Sequence, residues 1–276
     1  MKEPRILTLG RHLVLLLFSV IAVYPLLNVI TISLRPGDKL RSTDLALIPD
    51  GASLQSYIAL FTEHAFLTWL WNSILVSVVV TATGVVLAAV GGYAFSRFKF
   101  VGHDAGMLAL MTTQMFPATM LLLPLYIMVA KLHLVNTFLG LMVLYTATAL
   151  PFCLWQMKGF YDTIPTSLEE AARIDGCSRF QAFYRVVLPL ASPALVITAL
   201  FSFMASWSEY IVAAQILQES DLFTLPLGLK SFQASMSTQW GYYAAASVLV
   251  SLPVMVIFIA LSRYLVSGLT LGAVKE

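Results

Sequence analysis

Uncharged runs of about 20 residues recur along this chain, and no other property restricts its folding so severely. A helix of that length crosses roughly 30 Å of hydrocarbon, and it satisfies its own backbone polar groups while doing so. Six such runs can be read, at 13–34, 71–95, 105–130, 134–157, 186–208 and 244–261. Only 11% of the 276 residues are charged, against about 25% in an ordinary soluble domain. A water-soluble globule is thereby excluded. The expected architecture is all-α, a single membrane domain over 1–276 with six crossing helices and a cytoplasmic connection at 158–188.

Lysine and arginine orient the spans, because cytoplasmic segments accumulate them. With the N-terminus inside, Lys2, Arg5, Arg11, Arg97, Lys99, Lys158, Arg173, Arg179, Arg185, Arg263 and Lys275 fall on the inner side. Arg35, Lys39, Arg41, Lys131 and Lys230 fall outside, so both termini are expected in the cytoplasm. Trp69, Trp71, Trp240, Tyr242 and Tyr243 then gather at the outer interface, where amphipathic rings settle. The run at 13–34 is about twice the length of a signal-peptide core and reads as a retained helix. Lys131-Leu132-His133 is short enough to make the third and fourth spans a tight hairpin. Pro25, Pro117, Pro124, Pro151, Pro193 and Pro253 lie within spans and predict kinks.

The stretch 167–189, SLEEAARIDGCSRFQAFYRVVLP, is a charged island that the bilayer does not require. Ser167 followed by Glu170 has capping-box spacing, Leu168 to Asp175 would form about two turns, and Gly176 would close them. Ser178 and Gln181 repeat the box, Phe180, Phe183, Val186 and Val187 share one face of a second short helix, and Leu188-Pro189 leads into the fifth span. Glu169, Glu170, Arg173 and Asp175 offer orienting charges, while Ala171 and Ala172 admit close approach of another backbone. Docking of another protein and lying on the inner leaflet are both consistent with this pattern.

Glu209, beside Trp207 and Tyr210 at the outer end of the fifth span, is either part of a solute path or an interface anchor. Gln114, with Thr112 and Thr113, would suit a hydroxyl-rich solute or act between helices as a hydrogen-bonding contact. Gly84, Gly91 and Gly92 permit close helix approach, within this chain or to a second one. Cys153 and Cys177 form no disulfide framework. The four histidines show no metal-ligand spacing, and no nucleophile–base motif or phosphate-binding Gly-x-x-x-x-Gly-Lys loop is present. The outer loop 215–240 carries Phe223, Thr224, Leu225, Pro226, Leu227 and Gly228, an apolar centre between polar ends.

Glu170-Ala171-Ala172, three residues, Gly176, nine residues, Val186, one residue and Leu188-Pro189 resembles the EAA loop of ATP-binding-cassette (ABC) importer permeases. Valine replaces the usual isoleucine at 186. Further likeness to the maltose-type, MalG-like carbohydrate permeases lies in Tyr24-Pro25-Leu26-Leu27, Leu70-Trp71-Asn72-Ser73, Tyr93-Ala94-Phe95-Ser96-Arg97, Gln114-Met115-Phe116-Pro117-Ala118 and the ending at 265–275. The resemblance implies a type I importer permease fold with a coupling helix seated on a separate ATPase dimer. It assigns coupling to Glu169, Glu170, Ala171, Ala172, Asp175, Gly176, Leu188 and Pro189. The tail residues Ser267, Gly268, Leu269, Gly272 and Lys275 would contact the ATPase. Phe223, Thr224, Leu225, Pro226 and Gly228 would probe an extracytoplasmic solute-binding protein. Gln114, Trp207, Glu209 and Tyr210 remain candidates for a solute path. A second permease subunit is implied, with ATP and Mg held by the ATPase and no cofactor on this chain.

Other classes make distinguishable demands. An ion-coupled secondary transporter usually shows intramembrane ionisable groups and repeated halves. An intramembrane enzyme needs an acid–base or nucleophile–base pair. The same importer machinery carrying an osmolyte or an amino acid is the nearest rival, because the coupling loop is shared and solute contacts are not.

Overall fold

The computed structural model describes residues 5–36, 48–233 and 238–271, with side chains over 9–36, 48–117, 119–233 and 238–262. Helices dominate: α1 Arg5–Ser33, α2 Gln55–Thr62, α3 Phe66–Arg97, α4 His103–Thr113, α5 Ala118–Lys131, α6 Phe138–Thr163 and α7 Ser167–Ile174. After them come α8 Arg179–Ala182, a π-helical turn Phe183–Val187, α9 Leu188–Leu190, α10 Ser192–Trp207, α11 Ile211–Ile216, α12 Leu225–Lys230 and α13 Trp240–Leu271. Among the described residues the only extended pairing is one isolated bridge, Gln233 with Thr238.

Among the described residues four helices are long and apolar enough to cross a membrane: α1 from Leu9, α3, α6 and α13 as far as Ser262. Arg179–Leu190 with Ser192–Trp207 makes a fifth candidate, bent by 75°. The expected third span, 105–130, is not one helix. It divides into α4 and α5 around Gln114–Pro117, and at 1.5 Å per residue neither piece reaches the roughly 30 Å of a bilayer core. Pro117 is the cause: it cannot donate to a preceding carbonyl, and it pushes the residue before it out of helical conformation. The fourth span is longer than the apolar run, continuing from 157 to Thr163 on an exposed Lys158–Asp162 pair one helical turn apart. Pro165 ends it by holding Ile164 extended.

The chain divides into two compact units, one of residues up to Leu67 with Gly228–Pro253, the other Thr68–Leu227 with the chain from Val254. In the first, Ser33 Oγ and Tyr57 OH share a 2.7 Å hydrogen bond, and the His64 ring meets Phe232 and Tyr242 edge-on. No residue in the apolar window of α1 is buried by the chain itself.

In the second unit, α3 lies along α6 at two glycines. A Cβ on Gly92 would sit 2.8 Å from Met157 Cβ and 3.0 Å from the Lys158 backbone nitrogen, and one on Gly91 would sit 2.9 Å from the Leu154 side chain. These glycines therefore serve packing inside the chain. One buried cluster joins Val76, Val80, Val129, Leu141, Leu144 and Tyr145 to Val212, Ala213 and Ile216. A second joins Ala88, Cys153, Met157 and Tyr161 to Phe183, Val187, Ala191 and Ala194. The expected hairpin forms between α5 and α6, and Asn136 at its tip adopts φ 58°. Its Oδ1 accepts from the Gln218 and Glu219 amides, and its own amide donates to the Ile216 carbonyl, which binds the hairpin to the end of α11.

Candidate functional site

The charged island folds as two short helices joined by a tight turn. Pro165 and Thr166 already supply the first turn, since Glu169 and Glu170 both donate to the Thr166 carbonyl. Ser167, which the spacing predicts as the cap of α7, is instead its first helical residue, with Thr166 before it in the cap position. The far end follows the expectation. Gly176 takes φ 92°, its amide donates to the Arg173 carbonyl and that of Cys177 to Ala172. Those two bonds form a Schellman closure, which calls for a residue tolerant of left-handed backbone. Ser178 and Gln181 then make a reciprocal capping box over α8.

Beyond α8 the helix widens. Leu188 donates to Phe183, five residues back, just before Pro189, which has no amide hydrogen. Pro189 and Pro193 bracket Ala191, where the 75° bend falls. Leu188 is half-buried against the second cluster and Pro189 is exposed. Of the four residues expected on one apolar face, Phe183 and Val187 are buried and Val186 is half-buried. Phe180 instead lies 72% exposed against Tyr184.

The charges of α7 separate into two roles. Glu169 does not face outward with its neighbours. It is the only buried residue of α7, ion-paired at 2.5 Å with Arg97 Nε and accepting a 2.6 Å hydrogen bond from Tyr93 OH. Arg97 also donates to the Ile164 carbonyl and to Ser96 Oγ, and Ser96 reaches Asp162. Glu170, Ala171, Arg173 and Asp175 are arrayed along the outer side: Glu170, Ala171 and Asp175 are exposed, and Ile174 is 86% exposed. A cavity of about 200 Å³ lies at the root of α7, lined by Tyr93, Arg97, Phe98, Thr166, Glu169, Glu170, Arg173, Arg179 and Ala182. Such an arrangement is a mount for α7. It holds a short helix rigidly and presents charged and apolar groups to water.

The other candidates are dispersed. Glu209 is an internal carboxylate that accepts from Tyr145 OH at 2.8 Å and from the Val212 and Ala213 amides, satisfying the open start of α11. Trp207 is buried and stacks on Phe203, and Tyr210 packs on the first cluster. Gln114 Nε2 donates to the Thr148 carbonyl, which joins α4 to α6. The segment expected as a probe, 223–228, is held close against the fold. Thr224, Leu225 and Gly228 are buried, and Phe223 and Pro226 are half-buried. Asn72 Nδ2 donates to the Asp221 and Phe223 carbonyls, and Ser73 Oγ accepts from the Leu225 amide, so α3 draws the segment inward. Ser267, Gly268 and Leu269 continue the α13 backbone, while Gly272 and Lys275 lie outside the described residues.

Residues 81–271 match the family model described as "Binding-protein-dependent transport system inner membrane component". The chain is 36% identical to the maltose/maltodextrin transport system permease protein MalG of Yersinia pestis, over 99% of this chain and 95% of that protein. It is 34% identical to the arabinooligosaccharides transport system permease protein AraQ of Halalkalibacterium halodurans, over 92% of each. Identity to the diacetylchitobiose uptake system permease protein DasC of Streptomyces coelicolor is 33%, again over 92% of each. The fold matches the crystal structure of a bacterial ABC transporter involved in the import of the acidic polysaccharide alginate, with a TM-score of 0.82. That match has 22% identity and covers 96% of this chain and 99% of the other.

Proposed function

The chain belongs to the inner-membrane permeases of binding-protein-dependent transport systems, and from that premise we propose that it is half of the path of an importer for oligosaccharides. It is a transport component and not an enzyme, and ATP is hydrolysed on a separate partner. Relatives named for maltodextrin, arabinooligosaccharides and diacetylchitobiose support a carbohydrate as the solute. The second half of the path is a partner permease, the ATPase is a dimer carrying ATP and Mg, and solute arrives on an extracytoplasmic binding protein. The lysine and arginine distribution supports cytoplasmic termini. The tail at 267–275 and the outer segment around Phe223–Gly228 are the further contacts of this reading.

One observation carries the proposal: a two-turn helix with a closed C-terminus exposes Glu170, Ala171, Ile174 and Asp175 while a single carboxylate anchors it from behind. Ile174, 86% exposed beside orienting charges on a firmly anchored helix, supports a docking surface. ATP-driven closure of the docked ATPase would move this helix and turn the crossings from inward-facing to outward-facing. Glu170→Arg combined with Ala171→Arg tests it. The expected result is normal membrane insertion, loss of the ATPase during detergent extraction and loss of solute uptake in vesicles. Retention of the ATPase with normal uptake would overturn the reading. The ligand retained by the cognate binding protein identifies the sugar, and a non-carbohydrate there would replace the solute assignment while leaving the machine intact.

A further inference from the structure

A helix of eight residues cannot fix its own direction, and α7 buries only one of its residues. That residue, Glu169, is charged, and both its oxygens are committed: Oε1 to Arg97 Nε and Oε2 to Tyr93 OH. Arg97 is the last residue of α3, one turn beyond Tyr93, so both groups come from the end of one long helix. The guanidinium side chain is 9% exposed and the carboxylate 12%, and the remaining guanidinium donors hold Ser96 and the carbonyl that ends α6. The Tyr93 ring packs at 4.4 Å on Phe183, in the π-helical turn that follows α8. A solvated pair would be screened and mobile, but a pair this enclosed holds its geometry.

We propose that Arg97 and Tyr93 are positioning residues for coupling: through Glu169 they fasten α7 to the inner end of α3, so that displacement of α7 is delivered to a crossing 72 residues away in sequence as well as to the crossings flanking it. The inference rests on the docking of α7 set out above. It differs from a generic contribution to stability in what it makes measurable. Weakening the fastening leaves the exposed face of α7 in place, so the ATPase still binds and still turns over, while its motion no longer reaches α3. Turnover and transport then separate.

The experiment uses the complete complex, this chain with its partner permease, ATPase and binding protein, reconstituted in vesicles. Arg97→Gln removes the ion pair, and Tyr93→Phe removes a single hydroxyl and preserves the packed ring. Both are expected to retain the ATPase, and both to raise the ATP hydrolysed per solute imported, by about fivefold or more for Arg97→Gln and by less for Tyr93→Phe. Arg97→Lys keeps the charge without the planar fork and should recover only part of the coupling. An unchanged ratio in a well-assembled Tyr93→Phe and Arg97→Lys pair overturns the proposal, as does loss of the ATPase from the Arg97→Gln complex. Failure of the docking reading itself would appear separately, as retention of the ATPase by the Glu170→Arg, Ala171→Arg variant.

Discussion

Gly92 and Met157 meet so closely that α3 and α6 leave no room for a methyl group between them: a Cβ at position 92 would fall only 2.8 Å from that of Met157. Backbone is involved as well as side chain, because the Lys158 nitrogen lies 3.0 Å from the same point. The contact sits one residue before Tyr93 and little more than one turn before Arg97, so the close approach of the two helices lies beside the residues that bind Glu169.

Gly92→Ala is accordingly expected to destabilise the protein, even though alanine is the better helix former by about 1 kcal/mol. Overpacking of this kind costs about 1–3 kcal/mol. Gly91→Ala meets only the end of the Leu154 side chain and should cost less. Gly159→Ala, on an exposed turn of α6 with nothing within 4 Å, should be neutral or stabilising. Thermal unfolding of the three variants in one detergent gives the order, and equal effects at 92 and 159 would contradict the close approach.

Two ion pairs near one another should differ sharply in worth. Arg97→Ala leaves Glu169 buried and unmatched, which costs about 3–5 kcal/mol. Lys158→Ala removes an exposed pair with Asp162 worth under about 1 kcal/mol. Denaturation midpoints of the two variants check the contrast.

Glu209 is expected to act on stability and not on solute recognition. Glu209→Gln weakens its contacts with Tyr145, Val212 and Ala213, at about 1.5–3 kcal/mol for hydrogen bonds to a charged group. Half-saturation of uptake should remain that of the parent protein. A changed half-saturation at unchanged stability would return Glu209 to the solute path.

His103 carries a pH signature at the turn between α3 and α4. Its Nε2 lies 2.7 Å from the Phe95 carbonyl and its Nδ1 2.6 Å from the Asp104 carboxylate. Both partners accept, so only the imidazolium can donate to both at once. The Phe95 carbonyl first, and Asp104 second, raise the imidazole above its ordinary 6.5. The resulting stabilisation is complete below 6.5 and is lost as pH rises through the higher folded value. Titration of the His103 ring should report a midpoint above that of the same residue in an Asp104→Asn variant.

What can be read from sequence is whatever depends on neighbours a few residues apart. The apolar runs, the left-handed Gly176 and the Ser178–Gln181 box are of that kind. The division at Gln114–Pro117 is not legible there, because hydropathy is the same for one kinked helix and for two. Glu169 and Glu170 are adjacent carboxylates about 100° apart on a helix, and only the distant Arg97 decides which one turns inward. In the same way, Asn72 and Ser73 can be recognised as a motif, yet their hold on Asp221–Leu225 spans some 150 positions of chain. Asn136 carries a signal that sequence reasoning missed: an asparagine in a two-helix turn is a fair marker of left-handed backbone.

The 75° bend at Ala191 makes a bell crank of the segment running from Arg179 to Trp207. Its arms measure roughly 18 Å and 24 Å at the usual helical rise, and the corner is held firm, because Ala191 is wholly buried, its amide donates to the Val187 carbonyl and its carbonyl accepts from Leu195. Under the coupling proposed above, a push near Arg179 would emerge at Trp207 turned through most of a right angle and enlarged by about a third, by the ratio of those arms. Thrust along one axis would thus become sideways swing along another.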